Sequence, residues 1–399
     1  MTQLRSDDGG LAVALVDPGD FTPAYDRALL DGLNEAGVRA RLFGHAGFTD
    51  AQRPSAHIGH FYRLAARWGD RRWLKGLEHA FDLLRLAPRL KTEDFDLVHL
   101  QWLPLPILDR LFCMFVRRRR PLVLTVHDSN PYNGGGAFLM RAGFAASLRT
   151  ADAVIVHTGQ ARERVAAMGV APDRLHVVPH GLLHQRDTPE VVAGRRSPEG
   201  PLRLLSFGKI KPYKGIDLLL EALARLDPEA RAALRVDIVG EPYMPVAPFE
   251  ELVRRHGLGD CVAFDFSFVD EARMAALFAA ADALLMPYRE IDASGVAMTA
   301  MAHGLPVLAT RVGGLAETFA DNEGAVLVPP EDPAALAAVL ARWAAEPDRV
   351  STMRRAMRAH VEAVPSWNEI ARRTLAVYEK AGLRRRGVNL DGARAKQVP

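Results

Sequence analysis

Short runs of Val, Ile, Leu and Ala recur along the whole chain, and they limit its fold more than any other feature. In the first half they are LAVALVD (11–17), DLVHLQW (96–102), PLVLTVHD (121–128), AVIVHT (153–158) and LHVVPHG (175–181). In the second half they are LRLLSFG (202–208), LRVDIVG (234–240), CVAFDF (261–266), ALLMPY (283–288), LPVLAT (305–310) and AVLVPP (325–330). Apolar runs this continuous suit strands buried on both faces of a parallel sheet. Between them lie helical patterns such as AYDRALLDGLNEAG (24–37) and IDLLLEALARL (216–226), which supply the crossovers.

At 399 residues the chain is too long for one ordinary core. A polar break rich in Pro and Gly, QRDTPEVVAGRRSPEGP (185–201), divides it. The spacing predicts a first domain over 1–188, a linker over 189–201 and a second domain over 202–365. A last amphipathic helix over 366–385 is expected to pack back on the first domain. Both domains read as doubly wound α/β units facing across a cleft, with ligand at the carboxyl ends of their strands.

Composition excludes several classes. Hydrophobic residues at 49% and charged ones at 25% are ordinary for a globular protein, and a net charge of +3 argues for no nucleic acid. Cys113 and Cys261 sit apart among apolar neighbours, which suits a reducing compartment and neither disulfide nor zinc. MTQLRSDDGG lacks the apolar core of a signal peptide, and Asp109 and Arg110 interrupt the longest apolar stretch, 103–116. A cytoplasmic protein is expected, with at most peripheral membrane contact.

The chemistry concentrates at two strand-to-helix junctions of the second half. In FGKIKPYKG (207–215), Gly208 ends a strand and Gly215 precedes a helix, with Lys209, Lys211 and Lys214 between them and no acid. A diphosphate would meet charge-assisted hydrogen bonds and a helix N-terminus here. A bare KxKxxK, without that context, reads first as a solvated basic loop. In the second junction, Ser294, Gly295 and Val296 open the helix VAMTAMAHG, with the Ser294 hydroxyl as cap or additional donor. Glu290 and Asp292 precede it as ligand-binding acids or ordinary loop charges, and Thr299 lies within the helix.

These junctions resemble the donor-binding half of family-4 nucleotide-sugar glycosyltransferases, the similarity running over about 10–380 and concentrating in 202–330. The resemblance implies a GT-B fold and retaining transfer from a nucleotide diphosphate sugar, with no required metal or other cofactor. It implies that Lys209 and Lys214, at the family's Arg and Lys positions, bind the donor diphosphate. Lys at 209 gives up the bidentate geometry of Arg. The family's paired acids are absent in register: aligning on Ala300-Met301-Ala302 puts Ile291 and Thr299 in their places. The chain resembles a branch with Pro-Tyr and Ser-Gly-Val in this loop, where Thr299 would touch the ribose and Glu290 or Asp292 the sugar. Glu317 matches the acid closing Gly313-Gly314-x-x-Glu, and is alternatively a first-turn helix acid. Gly240 and Glu241, at the end of RVDIVGE, would line the nucleotide pocket.

The first half is less specific. Gly19 lies at a strand-to-helix turn, and TVHDSNPYNGGG (125–136) brings His127, Asp128 and Asn130 to a strand end. His127 resembles the family's strand-end His beside the transferred sugar, with Asp128 and Asn130 toward the acceptor. His99, His157 and His180 also end strands, without the tight spacing of a metal site. Trp73, Leu77, Ala80, Phe81 and Leu84 make a helical stripe that reads as core packing. Its basic neighbours, with RRRR at 117–120, would also suit an anionic membrane or a lipid-diphosphate acceptor. The expected partners are a nucleotide-sugar donor and a saccharide or lipid-linked acceptor, in surface polysaccharide or glycolipid synthesis. A sugar-nucleotide epimerase or phosphorylase of the same fold and a non-catalytic nucleotide-sugar binder stay open.

Overall fold

All the apolar runs form strands, joined by two that are only partly buried. The structure, a computed structural model, describes residues 10–47, 56–68, 72–130, 138–183, 200–320 and 323–385. Most of the linker expected at 189–201 and the glycines 134–136 fall outside these. The chain divides into two compact units, 1–181 with 365–399, and 182–364.

The first unit holds strands β1 (Ala12–Val16), β2 (Arg39–His45), β3 (His57–Phe61), β4 (Leu97–Leu100), β5 (Leu122–Val126), β6 (Ala153–Val156) and β7 (Leu175–Val177). Its helices are α1 (Pro23–Glu35), α2 (Ala65–Trp68), α3 (Arg72–Thr92), α4 (Pro106–Arg117), α5 (Phe138–Thr150) and α6 (Gly159–Ala167). The second unit has strands β8 (Leu202–Phe207), β9 (Leu234–Val239), β10 (Val262–Asp265), β11 (Ala283–Met286), β12 (Val307–Thr310) and β13 (Ala325–Val328). Its helices are α7 (Ile216–Ala224), α8 (Pro228–Ala232), α9 (Ala247–Arg255), α10 (Glu271–Ala280), α11 (Gly295–Ala302), α12 (Gly313–Thr318), α13 (Pro333–Ala345) and α14 (Pro347–Val361). The last helix, α15 (Trp367–Arg385), packs on α1 in the first unit, where Trp367 and Ala371 lie against Gly32 and Tyr378 meets His99.

Both sheets are parallel and doubly wound. Their orders are β3-β2-β1-β4-β5-β6-β7 and β10-β9-β8-β11-β12-β13. The direction of winding reverses between β1 and β4, and between β8 and β11. In such sheets the crevice outside the carboxyl ends at the reversal is the natural ligand site. The lysine loop follows β8 and the Ser-Gly-Val loop follows β11, so the two junctions occupy the two strands at that reversal. Leu204, Leu219, Val236, Leu285 and Trp343 belong to the core that holds this sheet to its helices. Among the described residues no helix is long and apolar enough to cross a membrane.

The stripe on α3 is inverted from the expected packing. Leu77, Phe81 and Leu84 are 68%, 57% and 72% exposed, whereas Glu78, His79 and Asp82 are buried. The core of the first unit takes Leu83, Leu86 and Leu90 instead. The inward polar groups take specific partners, which lowers the cost of burying them. Glu78 accepts the Leu64 and Ala65 N–H groups at 2.6 and 2.9 Å. His79 bonds the Tyr62 hydroxyl at 2.9 Å and Asp109 at 2.7 Å, tying α3 to α4. Asp82 accepts the Tyr62 N–H at 2.8 Å, holding that residue at φ 59. The side chain of Trp73 lies outside the described residues.

Candidate functional site

The lysine loop is built by backbone contacts that leave it little freedom. Beyond β8, Ile210 N–H donates to the Glu241 carbonyl at 2.8 Å, and Tyr243 N–H returns to Ile210 at 2.9 Å. A Cβ at Gly240 would lie 2.2 Å from the Gly208 carbonyl, so this glycine lets the β8 and β9 loops touch. Gly240 therefore serves loop packing, and Glu241 is held by the Tyr243 hydroxyl at 3.0 Å. Pro212–Lys214 make a single 3-10 turn, ended by Gly215 at φ 64. There a Cβ would fall 2.0 Å from the Pro287 carbonyl, which packs this loop onto the one after β11.

Arg289 staples the same two loops. Its guanidinium donates to both Asp217 oxygens at 2.9 and 2.7 Å and to the Pro212 carbonyl at 3.0 Å, while its N–H reaches the Tyr213 carbonyl at 2.7 Å. Glu331 lies 2.7 Å from its Nε. The Asp217 carboxyl is held below the usual carboxylate range by Arg289 against the opposing effect of its own burial. Neither Arg289 nor Asp217 stands out in the sequence, since the pair is 72 residues apart.

Lys214 is the most distinctive group in this unit. Its side chain is turned inward and the residue is only 5% exposed. Nζ donates to the Phe207 carbonyl at 3.0 Å and closely to the Tyr288 hydroxyl. It lies 4.4 Å from the centroid of the Tyr288 ring, at cation–π range. Burial, reinforced by the charge of Lys211, brings its pKa down from 10.5 to about 7. The Phe207 carbonyl and the Tyr288 hydroxyl are both neutral, so an arriving phosphate would compensate a buried cation. Lys209 and Lys211 stay at the surface beside the Tyr243 ring, at 5.4 and 5.8 Å. Burial also lowers the pKa of Lys209.

The second junction meets the first at Gly208. A Cβ on Gly208 would lie 3.1 Å from Lys214 Nζ and 3.4 Å from Val296 Cγ2, so the ammonium and the start of α11 converge on this glycine. Ser294 caps α11, its Oγ accepting the Ala297 N–H at 3.2 Å. Gly295 and Val296 occupy the first turn, where N–H groups are not used within the helix. Thr299 is buried, and its hydroxyl donates back to the Gly295 carbonyl at 2.9 Å. Asp292 is buried and Glu290 half-buried on the same loop, whose Ile291 carbonyl accepts the Gly314 N–H at 3.0 Å. Glu317 is the fifth residue of α12 and exposed, so it is not a first-turn acid.

The remaining candidates lie in the first unit. The Gly19 turn is tied down by Asp17, which accepts the Gly19 and Thr22 N–H groups at 3.2 and 3.3 Å. The Phe21 ring fills the space a side chain at Gly19 would need. Burial pushes the Asp17 carboxyl up to about 6, and burial with the charge of Asp17 pushes that of Asp26 well above its ordinary value. Asp128, exposed at the end of β5, accepts the Asn130 N–H at 2.8 Å.

His127 is embedded in a relay. Its Nε2 is 3.0 Å from Gln101 Oε1, its Nδ1 is 3.1 Å from His157 Nε2, and His157 Nδ1 is 2.9 Å from the Val178 carbonyl. Three hydrogen bonds ending on two acceptors need three hydrogens, and two neutral imidazoles supply two. Burial and the neighbouring histidines hold His127 well below its ordinary pKa, so the missing hydrogen is not a proton on the ring. A Gln101 amide presenting its NH2 to His127 completes the chain, and gives a partner to a buried Nε2 that otherwise has none. Trp102 stacks on His127 at 5.4 Å, and Tyr25 meets it edge-on at 4.7 Å. Both ring nitrogens of His127 are thus engaged within the unit. Gln101 and Trp102 escape a reading of motifs, and His157 shows there only as one more strand-end histidine, because the parallel sheet brings together the ends of β4, β5 and β6.

Two family models match this chain: "Glycosyltransferase Family 4" over residues 25–186 and "Glycosyl transferases group 1" over 201–346. A D-inositol 3-phosphate glycosyltransferase of Streptomyces scabiei is 36% identical over 247 residues, covering 59% of this chain and 55% of that one. The chain thus spans about half the length of such curated relatives. A D-inositol 3-phosphate glycosyltransferase of Catenulispora acidiphila is 30% identical over 310 residues, covering 72% and 73%. The Anabaena protein HepE, solved with UDP and glucose, superposes with a TM-score of 0.71 at 18% identity, over 92% of this chain and 99% of its own. The two parallel-sheet units make the GT-B fold, and the chain belongs to the family-4 glycosyltransferases.

Proposed function

We propose that this protein transfers a sugar, with retention, from a nucleotide diphosphate sugar to a saccharide or lipid-linked acceptor. The observation that carries the reading is Lys214, a buried cation facing neutral acceptors at the point where the β8 loop meets the start of α11. Lys214, the α11 N–H groups and the more exposed Lys209 would hold the diphosphate. As the bond from the anomeric carbon to the phosphate oxygen breaks, negative charge grows on the leaving diphosphate, and these groups stabilise it. The acceptor hydroxyl attacks the same face of the sugar and gives its proton to the departing phosphate oxygen. That step needs neither a protein nucleophile nor a metal. The relatives' names favour a phosphorylated polyol among the acceptors, and the UDP and glucose in HepE favour a nucleotide diphosphate sugar as donor.

Transfer is checked by supplying UDP-glucose or GDP-mannose with inositol phosphate and reading the product by proton NMR, with EDTA present. Product of the donor's own anomeric configuration is expected. An inverted product, or epimerised donor without acceptor, contradicts the reading. His127→Ala should lower kcat by about 10²-fold, the scale for one preorganised polar group, while nucleoside diphosphate affinity stays near wild type. Unchanged turnover would remove the β5 end from the acceptor side.

We propose further that the acceptor is met in the cytoplasm at an anionic membrane surface. The outward face of α3 presents Leu77, Phe81 and Leu84, α4 presents Ile107 and Leu111, and α5 presents Phe138 and Leu139. Helix α4 packs against both α3 and α5. Glu78, Asp82 and Asp109 are buried, and Lys75, Arg85, Arg110 and Arg141 are among the basic residues these helices carry. Co-sedimentation with phosphatidylserine vesicles at low salt is expected, fading as the Debye length shortens to about 8 Å at 0.15 M. It should be lost in the Phe81→Glu, Leu84→Glu double variant with nucleotide binding intact. No sedimentation at low salt would point to a soluble acceptor.

A further inference from the structure

Tyr288 is fully buried two residues past the end of β11, in the loop that leads to α11, and its hydroxyl reaches across to the other junction. There it accepts a close hydrogen bond from Lys214 Nζ, which lies 4.4 Å from the centroid of its ring. An ammonium only donates, so the Tyr288 oxygen serves the cation as an acceptor. With the Phe207 carbonyl it holds Nζ beside Gly208, where Val296 at the start of α11 also arrives.

Packing alone would not require a tyrosine here. The ring meets Tyr213 edge-on at 5.7 Å, and the carbonyl of Tyr288 takes the Thr310 hydroxyl, neither of which uses the phenol oxygen. A phenylalanine would fill the same space and leave the ammonium one acceptor short.

We propose that Tyr288 is a positioning residue of the donor-phosphate site, its hydroxyl holding the lysine of one loop beside the start of α11 on the other so that both address one anion. This rests on the reading of that site as a nucleotide diphosphate site. The groups facing the ammonium are Tyr288 from the β11 end, the Phe207 carbonyl from β8, and Tyr213 and Lys211 from its own loop. Burial and Lys211 lower its pKa to about 7, and no carboxylate is among the causes. Diphosphate affinity should therefore decline above neutral pH, and losing the Tyr288 acceptor should bring that decline to lower pH.

The test is Tyr288→Phe, titrated calorimetrically from pH 6 to 9 with whichever of UDP, GDP, ADP and dTDP binds the wild type, and with its monophosphate. The expected result is an affinity for diphosphate at least about tenfold weaker at pH 7, the scale of one hydrogen bond to a charged group. The decline should begin about one pH unit lower, and the preference for diphosphate over monophosphate should shrink. Unchanged affinity and pH profile would make Tyr288 a packing residue and overturn the proposal. So would equal losses for both nucleotides with a lowered Tm, the mark of a loosened fold. Should the wild type bind none of the four, the donor-site reading itself fails, which separates the two failures.

Discussion

Replacing Lys214 with methionine should leave the fold standing and remove the proposed diphosphate site. Methionine keeps the length and apolar bulk of the lysine stem, and the Tyr288 ring still covers it. What disappears is the buried ammonium that the Phe207 carbonyl and Tyr288 hydroxyl position. A charge-assisted contact to phosphate is worth about 1.5–3 kcal/mol, so nucleoside diphosphate affinity should fall by about 10²-fold. The rate should fall by about 10²–10³-fold if the same group stabilises the leaving diphosphate.

The pH dependence gives that substitution a second signature. In the unfolded chain Lys214 keeps its proton to about its ordinary 10.5, and in the folded chain only to about 7. Between those values the unfolded state binds more protons, so this group makes the ligand-free protein more stable as pH rises from 7 to 10. Diphosphate affinity runs the other way, falling as the ammonium is lost. Lys214→Met should flatten both trends. Calorimetry of ligand and of unfolding reads both, and a variant that keeps the wild-type pH profile would remove Lys214 from the site.

Gly215→Ala should be the most damaging small substitution in the second unit. The residue sits at φ 64, and its Cβ would lie 2.0 Å from the Pro287 carbonyl, a backbone atom that cannot swing aside. Left-handed strain plus overpacking come to about 3–5 kcal/mol, which lowers Tm by on the order of 10 °C. Because Pro287 precedes Tyr288, the loops can relieve the clash only by separating, and diphosphate binding should fall with stability. A Tm within about 2 °C of wild type would mean that the two loops are not packed this way.

Much of this architecture is legible before any coordinates. Apolar runs such as 121–128 and 283–288 mark the strands because a parallel sheet covered on both faces needs side chains of that kind throughout. The strands that escape are β2 and β3, the outer pair of the first sheet. There Arg39 and Arg41 alternate with buried neighbours, and His57, Gly59 and His60 dilute the apolar signal. The stripe Leu77, Phe81, Leu84 misleads for a related reason. Periodicity reports an amphipathic helix without saying which face turns inward, and His79, Glu78 and Asp82 carry partners of their own.

The site divides along the same line. Lys214, Gly208 and Ser294 are visible because a glycine-containing loop that opens a helix is local in sequence. Tyr288, Arg289 with Asp217, and the Gln101–His127–His157 relay are not, since their partners come from distant strand ends. A phenol hydroxyl bridging two loops leaves no spacing to read.

The central claim is that the second unit binds a nucleotide diphosphate through Lys214. Calorimetric titration of the wild type and of Lys214→Met with UDP, GDP, ADP and dTDP tests it most directly. One nucleotide binding the wild type at one site per chain, and markedly more weakly the variant, is the predicted result. No heat with any of the four at millimolar concentration, or equal binding by both proteins, would contradict it.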